Sequence, residues 1–319
     1  REISIPTIRD RIVLRIMSEY LTSKFKKFVS LETPQNIIKN VKVQINCNQY
    51  NHFIKIDIKN FFPSINHEQL MKRIKRFIRN DQILKLIKAS VTTQSIFSSH
   101  DESNSNDIGV PQGLSISNIL AAIYLINFDL SFNKLPCKIS YNRYVDDILI
   151  FCDASDQEII LKHIEKKLRE IQLDFYNPNT SNGKSQCGKI SEKFSYLGYS
   201  FYLPQISVRH HSIQNLIDSL VKIFSNYHRS KQKNKDLLLW KLNLRVTGCI
   251  FQNKQRGWLF FFSEITDKDI LHKLDYLVLK LIRRYNVDVK AKKFMKSFHE
   301  IIFNIKQTKY IPNFDSFKH

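Results

Sequence analysis

The chain has 319 residues, and its hydrophobic fraction of 43% is typical of a folded globular protein and excludes a disordered one. Its 50 Lys and Arg residues outnumber 29 Asp and Glu, so the formal charge of +21 indicates a polyanionic partner such as nucleic acid; a basic protein without such a partner is the alternative. Five cysteines without paired spacing argue against a disulfide scaffold and against a zinc site, and they favour a reducing cytoplasm. No apolar run approaches the length of a membrane helix, so we expect no membrane contact.

Helical and strand patterns alternate in the first part of the chain. We expect a short strand at residues 1–6, followed by a basic amphipathic helix from residue 7 to about residue 28. Residues 41–50 are polar and are predicted to form a loop, whereas residues 53–58 are predicted to form a strand. The next predicted elements are a helix capped by Asn66, a helix at 82–90, a polar loop at 98–107, and an apolar helix at 116–129 capped by Ser115 or Ser117.

The second part begins with a predicted β-hairpin at residues 139–151 and an amphipathic helix at 157–171. A turn-rich loop at 177–183 precedes a predicted strand pair at 194–203. From residue 212 onward the pattern is mostly helical and rich in lysine. The aromatic run at 258–262 is predicted to be core or a protein interface, and a strongly amphipathic helix is predicted at 270–285.

Three aspartates in apolar, strand-like surroundings carry the strongest chemical signal. Asp146 and Asp147 lie at the turn of the predicted hairpin, and Asp57 lies in the predicted strand at 53–58, just before its end. Carboxylates in such surroundings are costly unless cations neutralise them, and three of them can hold two Mg²⁺ ions about 3.5–4 Å apart for phosphoryl transfer. The carbonyl of Ile58 would add an oxygen ligand. Taken alone, Asp57 could equally cap a turn.

Further residues fit a nucleotide site, although each has an ordinary structural alternative. Phe62 would form a wall that clashes with a 2′-hydroxyl and selects deoxynucleotides, but a Phe is more commonly a core residue. Gln112 offers a donor and an acceptor, and Gly113 allows close backbone approach, in what could also be an ordinary entry into a helix. Lys184 could protonate or neutralise a pyrophosphate leaving group, or be a solvated surface residue.

Other residues fit contacts with a nucleic-acid duplex. Leu197 and Gly198 could present backbone to a primer strand, or be part of a plain β-hairpin. Basic residues would grip the phosphates of an RNA–DNA hybrid, and each of them singly could be a solvated side chain. The predicted contacts include Arg9, Arg11, Lys222 and Lys231.

These elements, in this order, resemble the reverse transcriptases, and among them the group II intron and related bacterial enzymes. The resemblance runs through residues 1–11, 57–65, 111–115, 144–147, 182–184 and 194–199. It implies an α+β right-hand polymerase: fingers at 1–50 with their N-terminal part missing, a palm of antiparallel sheet packed on helices at 51–204 with inserted fingers helices, and a helical thumb at 205–319. It also implies Asp57, Asp146 and Asp147 as the metal carboxylates, with Arg1 and Tyr144 at the nucleotide.

The resemblance extends to a branch of the family. Residues 242–249, 256–263 and 271–275 look most like bacterial defence-associated reverse transcriptases, in particular the first subunit of the type 3 antiphage system. That likeness implies a non-coding RNA template, a DNA product built from dNTPs, a second reverse transcriptase subunit and a higher oligomer. A retron or group II intron enzyme, and a catalytically idle RNA-binding scaffold, are the alternatives. Phe62 disfavours an RNA-dependent RNA polymerase.

Overall fold

A computed structural model describes residues 3–92, 108–180 and 183–316. Within them the chain forms two compact units, each described here by itself. The first takes the chain up to Thr33 and from Gln44 to Lys189, and the second takes Pro34–Val43 and the chain from Ile190 onward. None of the helices in these residues is long and apolar enough to span a membrane.

A four-stranded antiparallel sheet organises the first unit. Its strands are β1 (His52–Asp57), β2 (Ser140–Tyr144), β3 (Asp147–Cys152) and β4 (Gln186–Lys189), in the order β2-β3-β1-β4. The side chains of β3 from Ile148 to Cys152 are all buried, so this central strand is covered on both faces and reads as a continuous apolar run.

Helices cover this sheet. They are α1 (Ile8–Phe25), α3 (His67–Lys75), α4 (Asp81–Thr92), α5 (Ser117–Ser131) and α6 (Gln157–Arg169). Helix α5 is apolar on nearly every face and contacts α1, α3 and α6, as expected for a helix inside a core. The predicted Asn66 cap of α3 is confirmed, because its side chain accepts a hydrogen bond of 3.0 Å from the Gln69 amide. The predicted serine cap of α5 is wrong: Ile116 precedes the helix, and the Ser117 hydroxyl instead donates to the Pro111 carbonyl at 2.5 Å.

Two further predictions near the N-terminus are wrong. The described part of the predicted first strand, from Ile3 onward, is not paired as a strand, although Ser4 donates its amide to the Gln112 carbonyl at 2.8 Å. The predicted loop at 41–50 is largely the end of a helix, α2 (Pro34–Asn46). Its buried residues Ile37, Ile38, Val41 and Ile45 follow a helical period. The predicted loop at 98–107 lies outside the described residues.

The second unit joins a small sheet to a group of helices. The predicted strand pair is confirmed as β5 (Phe194–Tyr196) and β6 (Tyr199–Tyr202), and β7 (Gln205–Val208) extends it. Two strands, β8 (Cys249–Phe251) and β9 (Lys254–Arg256), form a separate hairpin. The helices are α7 (His210–Arg229), α8 (Lys235–Thr247), α9 (Trp258–Phe261), α10 (Asp269–Arg284) and α11 (Phe294–Phe303). Trp258, Leu259, Phe260 and Phe262 are buried, so most of the aromatic run is core.

Candidate active site

The register of the central strands brings the three aspartates to one end of the sheet. Asp57, the last residue of β1, is paired with Asp147, the first residue of β3. Asp146 precedes it in the two-residue loop between β2 and β3, and its carbonyl accepts a 3.4 Å hydrogen bond from the Ile58 amide. Directly opposed residues of an antiparallel pair lie about 4.5–5.5 Å apart and point to the same face. Asp57 and Asp147, which are 90 residues apart in the chain, are therefore close neighbours, and all three aspartates are half-buried.

The end of β1 is fixed on its other side by a short extended segment and by a serine. The Asp57 carbonyl accepts from the Tyr176 amide at 3.0 Å, and the Asp57 amide donates to the buried Ser185 hydroxyl at 3.0 Å. Lys59 donates its amide to the Asp174 carbonyl at 2.8 Å. Ile58 lies between Asp57 and Lys59, and its amide points toward the hairpin. Because the amide and the carbonyl of a strand residue point to the same side, the Ile58 carbonyl also faces the hairpin.

Lys184 stands beside this strand end. It is exposed, and it immediately precedes the Ser185 that holds the Asp57 amide. Its ammonium donates to the Tyr176 hydroxyl at 2.7 Å and lies 3.9 Å from the centre of the Tyr176 ring. Tyr176 and Ser185 were missed by reasoning from the sequence, because no local pattern distinguishes either residue from an ordinary loop residue. Tyr176 thus orients the lysine that the sequence singled out.

Phe62 follows β1 in a short turn that a second segment supports. The Phe62 carbonyl accepts from the Val110 amide at 2.8 Å, and the half-buried Phe62 ring lies 5.5 Å from that of Phe61. Gly113, three residues after Val110, has a φ of +96°, and a Cβ there would come 2.6 Å from the Ile3 side chain. Gln112 is half-buried and its backbone pairs with Ser4. Arg1, predicted to join this group, lies outside the described residues.

Tyr144 is coupled electrostatically to the aspartates. It ends β2 and pairs with Asp147. Partial burial raises the pKa of its hydroxyl, and the negative charge of Asp146 raises that pKa further. The hydroxyl therefore stays protonated at neutral pH and can donate a hydrogen bond beside the carboxylates.

The predicted duplex contacts are exposed or partly exposed, and they are divided between the two units. Arg9 and Arg11 are exposed on α1 of the first unit. In the second unit, Leu197 and Gly198 form the turn between β5 and β6, with φ values of +46° and +83°. The remaining contacts, Lys222 and Lys231, are exposed on and just after α7. Their roles stay predictions.

The donor set at the sheet end fits a divalent cation. Carboxylate and carbonyl oxygens are the ligands of Mg²⁺, and Asp57, Ile58, Asp146 and Asp147 bring them to adjacent backbone positions. Among residues 3–92, 108–180 and 183–316, no three His, Cys, Asp or Glu side chains are already gathered as a metal-holding group. The fit therefore rests on the strand register and on the chemistry of the donors.

An antiparallel sheet covered by helices, with carboxylates at one end of its central strands, is consistent with the palm of a polymerase. Comparison with known families agrees, since the family described as reverse transcriptase (RNA-dependent DNA polymerase) matches residues 1–201. The chain belongs to the reverse transcriptase family, whose members generally use divalent metal ions. The predicted enzyme class is confirmed at this level.

Individual relatives extend the comparison. Protein YkfC of Escherichia coli K12 is 31% identical over 297 residues, covering 78% of this chain and 74% of that protein. The putative COX1/OXI3 intron 1 protein of Saccharomyces cerevisiae is 29% identical over 140 residues, covering 40% of this chain and only 16% of that protein. A telomerase structure from Candida albicans, in complex with a fragment of telomeric RNA, covers 92% of this chain and 47% of that one, at 14% identity and a TM-score of 0.47. Family membership rests on the sequence matches and not on this last likeness.

Proposed function

We propose that this protein is an RNA-directed DNA polymerase that joins dNTPs to a primer 3′-hydroxyl with two Mg²⁺ ions. The pairing of Asp57 with Asp147, beside Asp146 in the hairpin loop, is the observation that carries the proposal. Cations held by the three carboxylates and the Ile58 carbonyl would supply charge neutralisation at the attacking and leaving oxygens. For this reaction the protein has to hold the carboxylates that bind the cations close together, and the strand ends do so.

Neighbouring side chains have roles that follow from their positions. Lys184, which Tyr176 orients, brings an ammonium to the negative charge of the leaving pyrophosphate and holds a transferable proton at its Nζ. Phe62 would meet the sugar of the incoming nucleotide and exclude a 2′-hydroxyl by steric contact. Gln112, Gly113, Tyr144 and Arg1 would complete the nucleotide site. The absence of a Cβ at Gly113 lets the Ile3 side chain lie against it.

The partners that we propose are an RNA template and its DNA product. The net charge of +21 suits an RNA–DNA hybrid held through its phosphates, with Arg9, Arg11, Lys222 and Lys231 as contacts. The Leu197–Gly198 turn would follow the primer strand. The division into fingers at 1–50, palm at 51–204 and thumb at 205–319 belongs to the same proposal.

The branch within the family rests on sequence resemblance alone. Residues 242–249 and 256–263 favour a defence-associated enzyme that copies a non-coding RNA in the bacterial cytoplasm, together with a second reverse transcriptase subunit. Sequencing the nucleic acid that copurifies with the protein tests this branch. A single recurrent non-coding RNA is expected, and unrelated cellular RNAs would contradict it.

Primer extension on a poly-rA/oligo-dT substrate with Mg²⁺ tests the polymerase itself. Asp146→Ala should abolish nucleotide addition while leaving the fold intact, because it removes a carboxylate from a half-buried acidic group. Asp153→Ala is the matched control, since Asp153 follows the opposite end of β3 and should retain activity. Extension by Asp146→Ala at nearly the wild-type rate would refute the proposal. A wild-type protein that binds RNA tightly but adds no nucleotide would indicate a scaffold instead.

A further inference from the structure

An arginine whose side chain is only 12% exposed connects the aspartate hairpin to the core helix α5. Arg143, on β2, donates from Nε to Asp129 Oδ1 at 2.8 Å and from Nη2 to Asp129 Oδ2, so the pair is bidentate. Tyr141 also donates its hydroxyl to Asp129 Oδ1, at 2.6 Å. The third arm of the guanidinium, Nη1, donates to the Val145 carbonyl at 2.9 Å. One side chain thus holds both a helix in the core and the loop that carries Asp146.

The loop residue that Arg143 holds has an unfavourable backbone conformation. Val145 is the first of the two residues between β2 and β3, and its φ is +57°. Two-residue hairpin loops of the primed types require positive φ at this position, where glycine is usual. A β-branched residue with positive φ is a true outlier, which persists only when surrounding contacts determine it.

Packing holds Val145 only in part. The side chain is partly buried and packs against the core of the first unit. Val145 also lines a cavity of about 150 Å³ together with Asn118, Arg143 and Tyr144. The loop accepts one hydrogen bond at Asp146, from the Ile58 amide, and another at Val145, from Arg143. The bond from Arg143 acts on the carbonyl of the strained residue itself.

The pKa shifts of Arg143 and Tyr141 keep both side chains as hydrogen-bond donors to Asp129. Burial alone would lower the pKa of Arg143, but the Asp129 carboxylate raises it, and the net result is a pKa above the ordinary value. For Tyr141, burial followed by the charge of Asp129 raises the pKa well above its usual range. Arginine therefore remains charged and the phenol remains a donor throughout the pH range in which proteins are stable.

We propose that Arg143 is a positioning residue which, anchored by Asp129, holds Val145 in its strained conformation and thereby sets the placement of Asp146 and Asp147 for divalent cation binding. The inference rests on the proposed polymerase function for its consequence in catalysis, but not for its effect on the cation. Lysine cannot replace Arg143, because a single ammonium lacks the planar fork that spans a carboxylate and a carbonyl together.

The first test measures cation binding without catalysis. We expect Arg143→Lys and Asp129→Asn to raise about tenfold the Mg²⁺ concentration that gives half of the Mg²⁺-induced increase in melting temperature. Tyr141→Phe, which removes only the hydroxyl, should raise it by a smaller factor, and it serves if the other variants fold poorly. Lys138→Gln, on the chain just before β2 and outside the ion pair, is the control. Wild-type Mg²⁺ dependence in Arg143→Lys, Asp129→Asn and Tyr141→Phe alike would overturn the inference.

The second test distinguishes positioning from general stability. Glycine reaches positive φ without strain, so Val145→Gly should make Arg143 less necessary. The rise in half-saturating Mg²⁺ caused by Arg143→Lys should therefore fall from about tenfold to about threefold or less in the Val145→Gly background. An ion pair that only stabilised the fold would give the same factor in both backgrounds, which would contradict positioning.

Primer extension on the same proteins completes the test. In single-turnover extension, Arg143→Lys should lower the rate and raise the Mg²⁺ requirement, while leaving the dissociation constant of the primer–template unchanged. If the wild type extends primers and these variants keep its Mg²⁺ requirement, the inference fails and the polymerase function stands. If the wild type extends no primer but the Mg²⁺ shifts are found, the polymerase proposal fails and the positioning role stands.

Discussion

Gly248 offers a prediction whose magnitude follows from the coordinates. It ends α8 with φ +69° and ψ −163°, a region that essentially only glycine populates. A Cβ at this position would lie 2.4 Å from the Arg256 carbonyl oxygen, in the partner strand of the β8–β9 hairpin. An alanine therefore incurs backbone strain of about 1–3 kcal/mol. It must also move the hairpin by about 1 Å to reach ordinary contact, which disturbs its hydrogen bonds at about 1 kcal/mol each.

Gly248→Ala should thus lower the free energy of unfolding of the second unit by about 3–5 kcal/mol. Both tryptophans of the chain, Trp240 and Trp258, belong to the second unit, so urea unfolding followed by tryptophan fluorescence reports on it directly. The control is Gly183→Ala in the first unit, where φ is +77°. Apart from its chain neighbours, no atom of the residues that the structure describes lies within 4 Å of the added Cβ. This control should leave the fluorescence transition unchanged. A Gly248→Ala midpoint equal to that of the wild type would refute the steric reasoning.

Two further predictions concern nucleotide choice and alkaline stability. Phe62→Ala should admit ribonucleotides and reduce the preference for dNTPs over rNTPs at least about tenfold. Phe77→Ala, which changes a partly exposed residue beyond α3, should leave that preference unchanged. Unchanged discrimination in Phe62→Ala would contradict the steric role of Phe62. Burial, followed by the charge of Asp156, raises the pKa of the Cys152 thiol to about 12. The neutral thiol therefore contributes its full stabilisation below about pH 9, and this stabilisation is lost as the pH rises toward about 12. Melting temperatures between pH 8 and 10.5 should therefore fall less steeply for Cys152→Ala than for the wild type, and parallel slopes would count against this reasoning.

The sequence predicted the elements that consist of apolar runs bounded by polar or turn residues. The strand ending at Asp57, the hairpin with Asp146 and Asp147, and the apolar helix α5 were found in this way. Helix α2 was missed although its signal is present, with Pro34 at its first position and buried residues at helical spacing. Residues 41–46 alone are too short a stretch to show that spacing.

The contacts that hold the site follow no such local rule. Ser185 and Tyr176 bond the backbone of Asp57, which lies more than a hundred residues earlier in the chain. Asp129 and Arg143 are separated by a helix end and a loop, and each would pass as a surface charge. Such pairs depend on how the helices pack against the sheet, which is settled by the whole core and by no single segment.

The aspartates can be found in the sequence and the contacts that hold them cannot, and this difference has a physical origin. Carboxylates in apolar strands are costly, so their occurrence in the sequence predicts a compensating cation. Val145 carries a similar cost, a positive φ on a β-branched residue, but backbone strain leaves no mark on the sequence. Its compensation is the Arg143 hydrogen bond to its carbonyl, and Asp129 in turn neutralises Arg143. The carboxylates and the strained Val145 therefore each have a compensating partner. The partner of Val145 is Arg143, which can be recognised only when β2 is placed against α5.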